Sequence, residues 1–117
     1  MTRETDLAWL AGFIDGDGCF RLHHLRPNGP GRGCLSPRLA FSQKDRQVLD
    51  RVVEIVGRGK VHGPYHRAKG SHYQLIISGV ATIELAKELY PYLQELKKAQ
   101  VDDMVQRHKA FYELKAA

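Results

Sequence analysis

The chemistry-bearing residues of this sequence cluster at the end of its first apolar stretch, Leu7-Ala8-Trp9-Leu10-Ala11-Gly12-Phe13-Ile14-Asp15-Gly16-Asp17-Gly18. Leu7, Leu10, Phe13 and Ile14 carry helical spacing, and Thr5 or Asp6 is placed to cap the helix start. The helix must stop near Gly16-Asp17-Gly18, which sets Asp15 and Asp17 at its C-terminus. The helix dipole is negative there and disfavours carboxylates. A divalent cation resolves the conflict, because carboxylates and the unpaired last carbonyls of a helix are suitable Mg²⁺ ligands. A local capping or turn role for Asp15 is the structural alternative. A calcium-binding EF-hand is excluded: Phe20 stands where that loop requires glycine, and no glutamate occupies its twelfth position.

Ala8, Gly12 and Gly16 are spaced four apart and form one helical stripe with almost no side chain. Such a stripe admits close approach of another backbone. Two partners are open: the protein's own sheet, or the same helix of a second copy across a two-fold axis.

The elements that must position these residues follow from patterning. Cys19–Leu25 reads as a strand, Pro27–Gly33 as a loop and Leu35–Ser42 as a second strand, with Pro37 marking an irregular or edge position. Asp45 caps a helix bearing Val48, Leu49, Val52, Val53 and Val56 and ending at Gly57. Lys60–His62 and Tyr73–Ile77 form a second hairpin around a basic, glycine-containing loop. Ser78 caps a third helix that Pro91 stops near Tyr90. A last helix carries an apolar stripe of Val101, Met104, Val105, His108, Phe111 and Tyr112, read as core.

The chain has 117 residues, the size of one domain, with 43% hydrophobic and 26% charged residues and a formal charge of +5. The charge favours a polyanionic partner. Two cysteines are too few for a disulfide scaffold, and no apolar run is long enough to span a membrane. The N-terminal residues resemble neither a signal nor a transit peptide. An intracellular protein is expected, in the cytoplasm or nucleoid, or in an organelle if encoded there.

Leu10-Ala11-Gly12-Phe13-Ile14-Asp15-Gly16-Asp17-Gly18 resembles the signature of the LAGLIDADG homing endonucleases. Phe41–Asp45 with Val48-Leu49, Gly57-Arg58-Gly59-Lys60-Val61, Pro91-Tyr92-Leu93 and Lys97-Lys98-Ala99-Gln100 resemble further family segments. A single motif copy implies the homodimeric subgroup. The resemblance implies an α+β fold, αββαββα, with a four-stranded antiparallel saddle sheet over DNA, here followed by an extra C-terminal helix. It implies that residues 1–117 form a single endonuclease domain. It implies Mg²⁺ bound by Asp17 and the Gly16 carbonyl, with Mn²⁺ or Ca²⁺ substituting for binding. Gln43 and Lys97 match further catalytic positions, with Lys98 adjacent to the latter. Arg46 carries a charge beside Gln47, where some relatives have a basic residue. The implied reaction is hydrolysis of one phosphodiester in each strand of a long pseudo-palindromic DNA site. Ala8, Gly12 and Gly16 then become the dimer seam.

Strand alternation assigns Arg21, His23, Ser36, Arg38, Lys60, His62, His72 and Gln74 to a face that can read base edges. Arg32, Arg67 and Lys69 fall in loops suited to phosphate contact. Cys19, His23, His24 and Cys34 do not match a recognised zinc spacing. The competing expectations are a cleavage-inactive relative, acting as an RNA-binding intron maturase or a DNA-binding regulator, and a structural metal-binding module.

Overall fold

The computed structural model describes residues 2–116. The first apolar stretch forms α1 (Arg3–Asp17), which passes without a loop into β1 (Gly18–Leu25). A loop with a 3₁₀ turn at Pro30–Arg32 leads to β2 (Cys34–Gln43). α2 (Arg46–Val56), β3 (Val61–Arg67), β4 (Gly70–Ser78) and α3 (Val80–Leu89) follow. A 3₁₀ turn at Tyr90–Tyr92 joins α3 to α4 (Glu95–Ala116). The strands form one antiparallel sheet in the order β1-β2-β4-β3. This is the expected α+β architecture.

The helices cover one face of the sheet. Phe20, Leu39, Phe41, Leu75 and Ile77 meet Leu10 and Ile14 of α1, Leu49 and Val52 of α2, Leu85 and Leu89 of α3, and Val101 and Met104 of α4. Burying each large side chain contributes about 1.5–3 kcal/mol. The abrupt α1–β1 junction depends on Gly18. A Cβ there would lie 3.0 Å from both the Ile14 Cα and the Phe41 ring, closer than side chains pack.

Four local expectations need correction. Thr2, rather than Thr5 or Asp6, caps α1, its side chain accepting from the Thr5 N–H. The second hairpin is much tighter than its composition implies: only Ala68 and Lys69 separate the strands, so Arg67 belongs to β3 and not to a loop. Ser78 ends β4, and Gly79 starts α3 without a side-chain cap. Pro37 lies on a strand that becomes central only from Arg38 onward, so its own position is edge-like, as expected. Finally, the last helix's apolar stripe is core only at its N-terminal end. Val101 and Met104 are buried, Phe111 is partly exposed and Tyr112 is exposed.

Candidate nucleic-acid interface and metal site

The sheet face away from the helices is open and cationic. Arg21 and His23 of β1 stand opposite Arg38 and Ser36 of β2, and His62 of β3 stands opposite Gln74 of β4. Two arginines directly across an antiparallel pair repel each other. Among the described residues neither forms a salt bridge, and Arg38 Nε is buried without a hydrogen-bond partner. A buried unpartnered donor costs about 1–3 kcal/mol, so this row suits an anionic or hydrogen-bond-accepting ligand.

The same face gains a residue that alternation misses. Counting in twos from core Val61 puts Tyr65 on the helix side. A register shift between His62 and Tyr65 adds one residue to β3, and Tyr65 pairs with His72 instead. Its ring lies 5.5 Å from the His72 ring, and it remains 44% exposed. Arg67, two residues on, shares that side. Lys60 precedes β3, Lys69 occupies the tight turn and Arg32 the 3₁₀ turn, so these three reach outward from the sheet's margins.

Asp17 sits where α1 delivers the chain onto this face. With Arg21, Ala40, Ser42 and Gln74 it lines a shallow depression of about 320 Å³. Gln43 does not line it. As the last residue of β2 it alternates with Ser42 and lies half-buried on the helix side. Arg46 is engaged elsewhere, 3.6 Å from Asp50 and over the Tyr73 ring.

The two motif aspartates have separate environments. The Asp15 carboxylate accepts the Gln94 backbone N–H, at 3.1 and 3.3 Å to its two oxygens. It thereby serves the N-terminus of α4, whose positive dipole end offsets the unfavourable end of α1. Asp17 is exposed and makes no hydrogen bond among the described residues. The Phe20 N–H, four residues beyond Gly16, donates to Gln100 Oε1 at 3.1 Å and so does not bond the Gly16 carbonyl. A hard carboxylate with a nearby helix-terminal carbonyl fits Mg²⁺ or Ca²⁺ chemistry. It does not fit zinc. Cys19 pairs with Ala40 and Cys34 with Leu25, at opposite ends of the β1–β2 hairpin, and no group of three metal-ligating side chains converges among the described residues.

Helix geometry separates the two candidate lysines. At about 100° per residue, Lys97 and Gln100 lean to one side of buried Val101, while Lys98 and Asp102 lean to the other. Gln100 reaches β1. Lys98 Nζ lies 5.4 Å from the Tyr90 ring, and Tyr90 Oη donates to Asp102 at 3.1 Å, which raises the Tyr90 pKa. Lys97 therefore stands on the β1 side, three residues from each of the two contacts, Gln94 and Gln100, that tie α4 to the α1–β1 junction. Gln100 lies within a segment that resembles the family, but the resemblance gives it no role; its contact with β1 comes from the structure.

The stripe on α1 does not pack against the protein's own sheet. Ala8, Gly12 and Gly16 are exposed, and a Cβ built on Gly12 or Gly16 meets nothing within 4 Å. The helix instead buries Leu7, Leu10, Ala11 and Ile14.

The chain is similar in structure to the homing endonuclease I-CvuI in complex with its target in the presence of 2 mM Ca. The TM-score is 0.77 and the identity 28%, covering 97% of this chain and 71% of that one. A second I-CvuI complex, holding uncleaved I-CreI target in 2 mM Mg, gives a TM-score of 0.73 at 28% identity, with 97% and 71% covered. The archaeal intron-encoded homing endonuclease I-Vdi141I, in complex with DNA, shares the fold at 16% identity. Its TM-score is 0.60, with 98% of this chain and 84% of that one covered. No curated protein sequence matches. The sequence pattern of the LAGLIDADG endonucleases matches residues 10–106. The chain belongs to the LAGLIDADG endonuclease family.

Proposed function

We propose that this chain is a site-specific homing endonuclease that binds double-stranded DNA as a homodimer and hydrolyses one phosphodiester per strand with a divalent metal. One observation carries the reading: the exposed, unpartnered Asp17 carboxylate stands where the small-residue stripe of α1 ends on the cationic sheet face. A single carboxylate and carbonyl make a sparse metal site. A second copy packed along Ala8, Gly12 and Gly16 would bring its own Asp17 alongside and extend the sheet surface along DNA. The I-CvuI complexes with DNA in Ca and Mg are consistent with both partners.

Asp17 and the Gly16 carbonyl would hold Mg²⁺, with Mn²⁺ or Ca²⁺ able to replace it for binding. The ion supplies Lewis acidity and a lowered water pKa for phosphodiester hydrolysis. Lys97, on the β1 side of α4, places positive charge toward the junction where the phosphate would develop negative charge. Gln43 is uncharged and a poor base, and from the helix side of the end of β2, outside the Asp17 depression, it takes no direct part at the metal. Arg21 and Arg38 contact the DNA from the sheet, and Arg32 and Lys69 from the margins. RNA is the partner to test if no duplex DNA is bound.

The test uses a duplex enriched by the wild-type protein from a randomised library, then cloned into a supercoiled plasmid. With Mg²⁺, wild type nicks and linearises the plasmid and Asp17→Asn does not. Tight binding without nicking refutes the nuclease reading and leaves a DNA-binding regulator. Failure to enrich any duplex refutes DNA recognition altogether and directs the test to intron RNA.

A further inference from the structure

The last turns of α4 lie outside the core and away from Asp17, yet they are tied closely to the first hairpin. β4 pairs with β2 only from Arg38 to Gln43, so Cys34–Pro37 has β1 on one side and no strand on the other. Tyr112 fills that side. The Leu35 N–H donates to Tyr112 Oη at 3.2 Å, and Oη lies 3.3 Å from the Leu35 carbonyl, to which it donates. One hydroxyl thus supplies the donor and the acceptor that a neighbouring strand would present.

Two further interactions hold the adjoining loop. Lys115 Nζ donates to the Gly33 carbonyl at 2.6 Å and lies 5.3 Å from the Phe111 ring and 5.7 Å from the Tyr112 ring. The His24 ring, edge-on to Phe111 at 5.4 Å, is 2.7 Å from the Arg32 carbonyl through Nε2. The carbonyls of Arg32, Gly33 and Leu35 are therefore all engaged. The loop they belong to is rich in glycine, and Arg26, Gly31, Arg32 and Gly33 all have positive φ. Such a segment has much conformational freedom to lose on binding unless the fold has already fixed it.

We propose that the end of α4 is a brace that fixes the β1–β2 loop, and with it Arg32, in the orientation that meets the DNA backbone. Tyr112 and Lys115 are then positioning residues for recognition. The inference rests on the DNA-binding reading above. β1 has eight residues, so at about 3.3 Å each the loop lies about 26 Å along the sheet from Asp17. At 3.4 Å per base pair the brace acts roughly seven or eight base pairs from the cut.

The test measures affinity of full-length protein for the enriched duplex in Ca²⁺, as a function of salt. The variants are Tyr112→Phe, which keeps the ring and removes both hydrogen bonds, Lys115→Met and Arg32→Ala. Thermal unfolding confirms that each is folded, and Lys115→Met carries the test if Tyr112→Phe is not. Tyr112→Phe should weaken binding about 3- to 10-fold, the cost of ordering a freed loop. It should reduce the salt slope by about 0.9 for each phosphate that is no longer neutralised. Base preference should relax only in the outer part of each half-site. Combined with Arg32→Ala it should add nothing further. Unchanged affinity, an additive double variant, or a loss spread evenly across the half-site overturns the brace. Failure of wild type to enrich a duplex refutes the underlying reading instead.

Discussion

Asp15 and Asp17 are two residues apart, but removing them should move stability in opposite directions. Asp17 is exposed at the negative end of the α1 dipole with no hydrogen bond among the described residues. An acid there costs about 0.3–1 kcal/mol at low ionic strength. Asp15 lies near the same end, but its carboxylate accepts the Gln94 N–H at the start of α4, so the two dipoles oppose each other at its position. What remains is a capping hydrogen bond, whose loss typically costs about 1 kcal/mol. Unfolding entropy is about 2.1 cal/mol/K per residue. For 117 residues that makes 1 kcal/mol equivalent to about 4 °C in Tm. In EDTA and low salt, Asp17→Asn should raise Tm by about 1–4 °C and Asp15→Ala should lower it by about 4 °C. Asp15→Asn, which keeps an acceptor, should fall between Asp15→Ala and wild type. Added Mg²⁺ should raise the Tm of wild type but not of Asp17→Asn. Differential scanning calorimetry reads all of this. A lower Tm for Asp17→Asn would show that Asp17 is used by the fold, and the argument for its being free to hold a metal would collapse.

Three other outcomes follow from the same geometry. Nothing opposes a side chain at Gly12 within the chain, so Gly12→Ala should stabilise the monomer by about 0.5–1 kcal/mol. Gly12→Leu should block the partner helix and sediment as a monomer; a Gly12→Leu dimer would exclude this seam. Arg21→Gln should relieve the Arg21–Arg38 repulsion, stabilising the fold by about 0.2–1 kcal/mol while weakening DNA binding. If stability and DNA affinity fall together, the arginine row belongs to the fold and not to a ligand. His108, beside the Tyr112 ring, has its pKa lowered below 6.5 by burial. The folded protein then binds fewer protons than the unfolded chain, so the His108 contribution is full above pH 6.5 and declines as pH falls through the interval down to its folded pKa. Urea titrations should show this decline in wild type and a flatter profile in His108→Gln; an unchanged profile would dismiss the effect.

The sequence makes the first half of the chain readable because local signals there agree with tertiary ones. Helical spacing, a terminating glycine and the alternation of Phe20 and Leu22 with Arg21 and His23 all describe the same α1–β1 unit. The second hairpin is different. Gly63-Pro64 and Lys69-Gly70 look like loop chemistry, and only pairing with β4 makes a strand of Val61–Arg67. The bulge that turns Tyr65 onto the open face is likewise set by cross-strand register, which a single strand's pattern does not encode. The ambiguity between Lys97 and Lys98 has the same origin. Adjacent residues on a helix differ by about 100°, and which side faces the site depends on where Gln94 and Gln100 are tied. The aromatic end of α4 misled for a related reason. Its spacing is that of a buried stripe, but what it covers is a hairpin edge left unpaired because β4 is too short to reach it.

Taken alone, the chain holds three local inconsistencies: a carboxylate at the wrong end of a helix, two arginines face to face, and a helix stripe with no side chains to bury. Each calls for a different partner, namely a cation, a polyanion and a second copy. All three converge on the α1–β1 junction, so the partners should not bind independently. A cation at Asp17 would lie against the phosphate backbone carried over Arg21 and Arg38, and each would lower the repulsion felt by the other. Linkage requires the effect to be reciprocal: the factor by which Ca²⁺ tightens duplex binding must equal the factor by which duplex tightens Ca²⁺ binding. Titration calorimetry on wild type should return the same factor from either direction, about 5- to 150-fold for a typical coupling. Asp17→Asn should bind the duplex with no dependence on Ca²⁺ beyond that of ionic strength. If the variant keeps the wild-type coupling, the cation sits elsewhere on the protein–DNA surface, and the meeting of helix end and sheet at Asp17 has a structural purpose only.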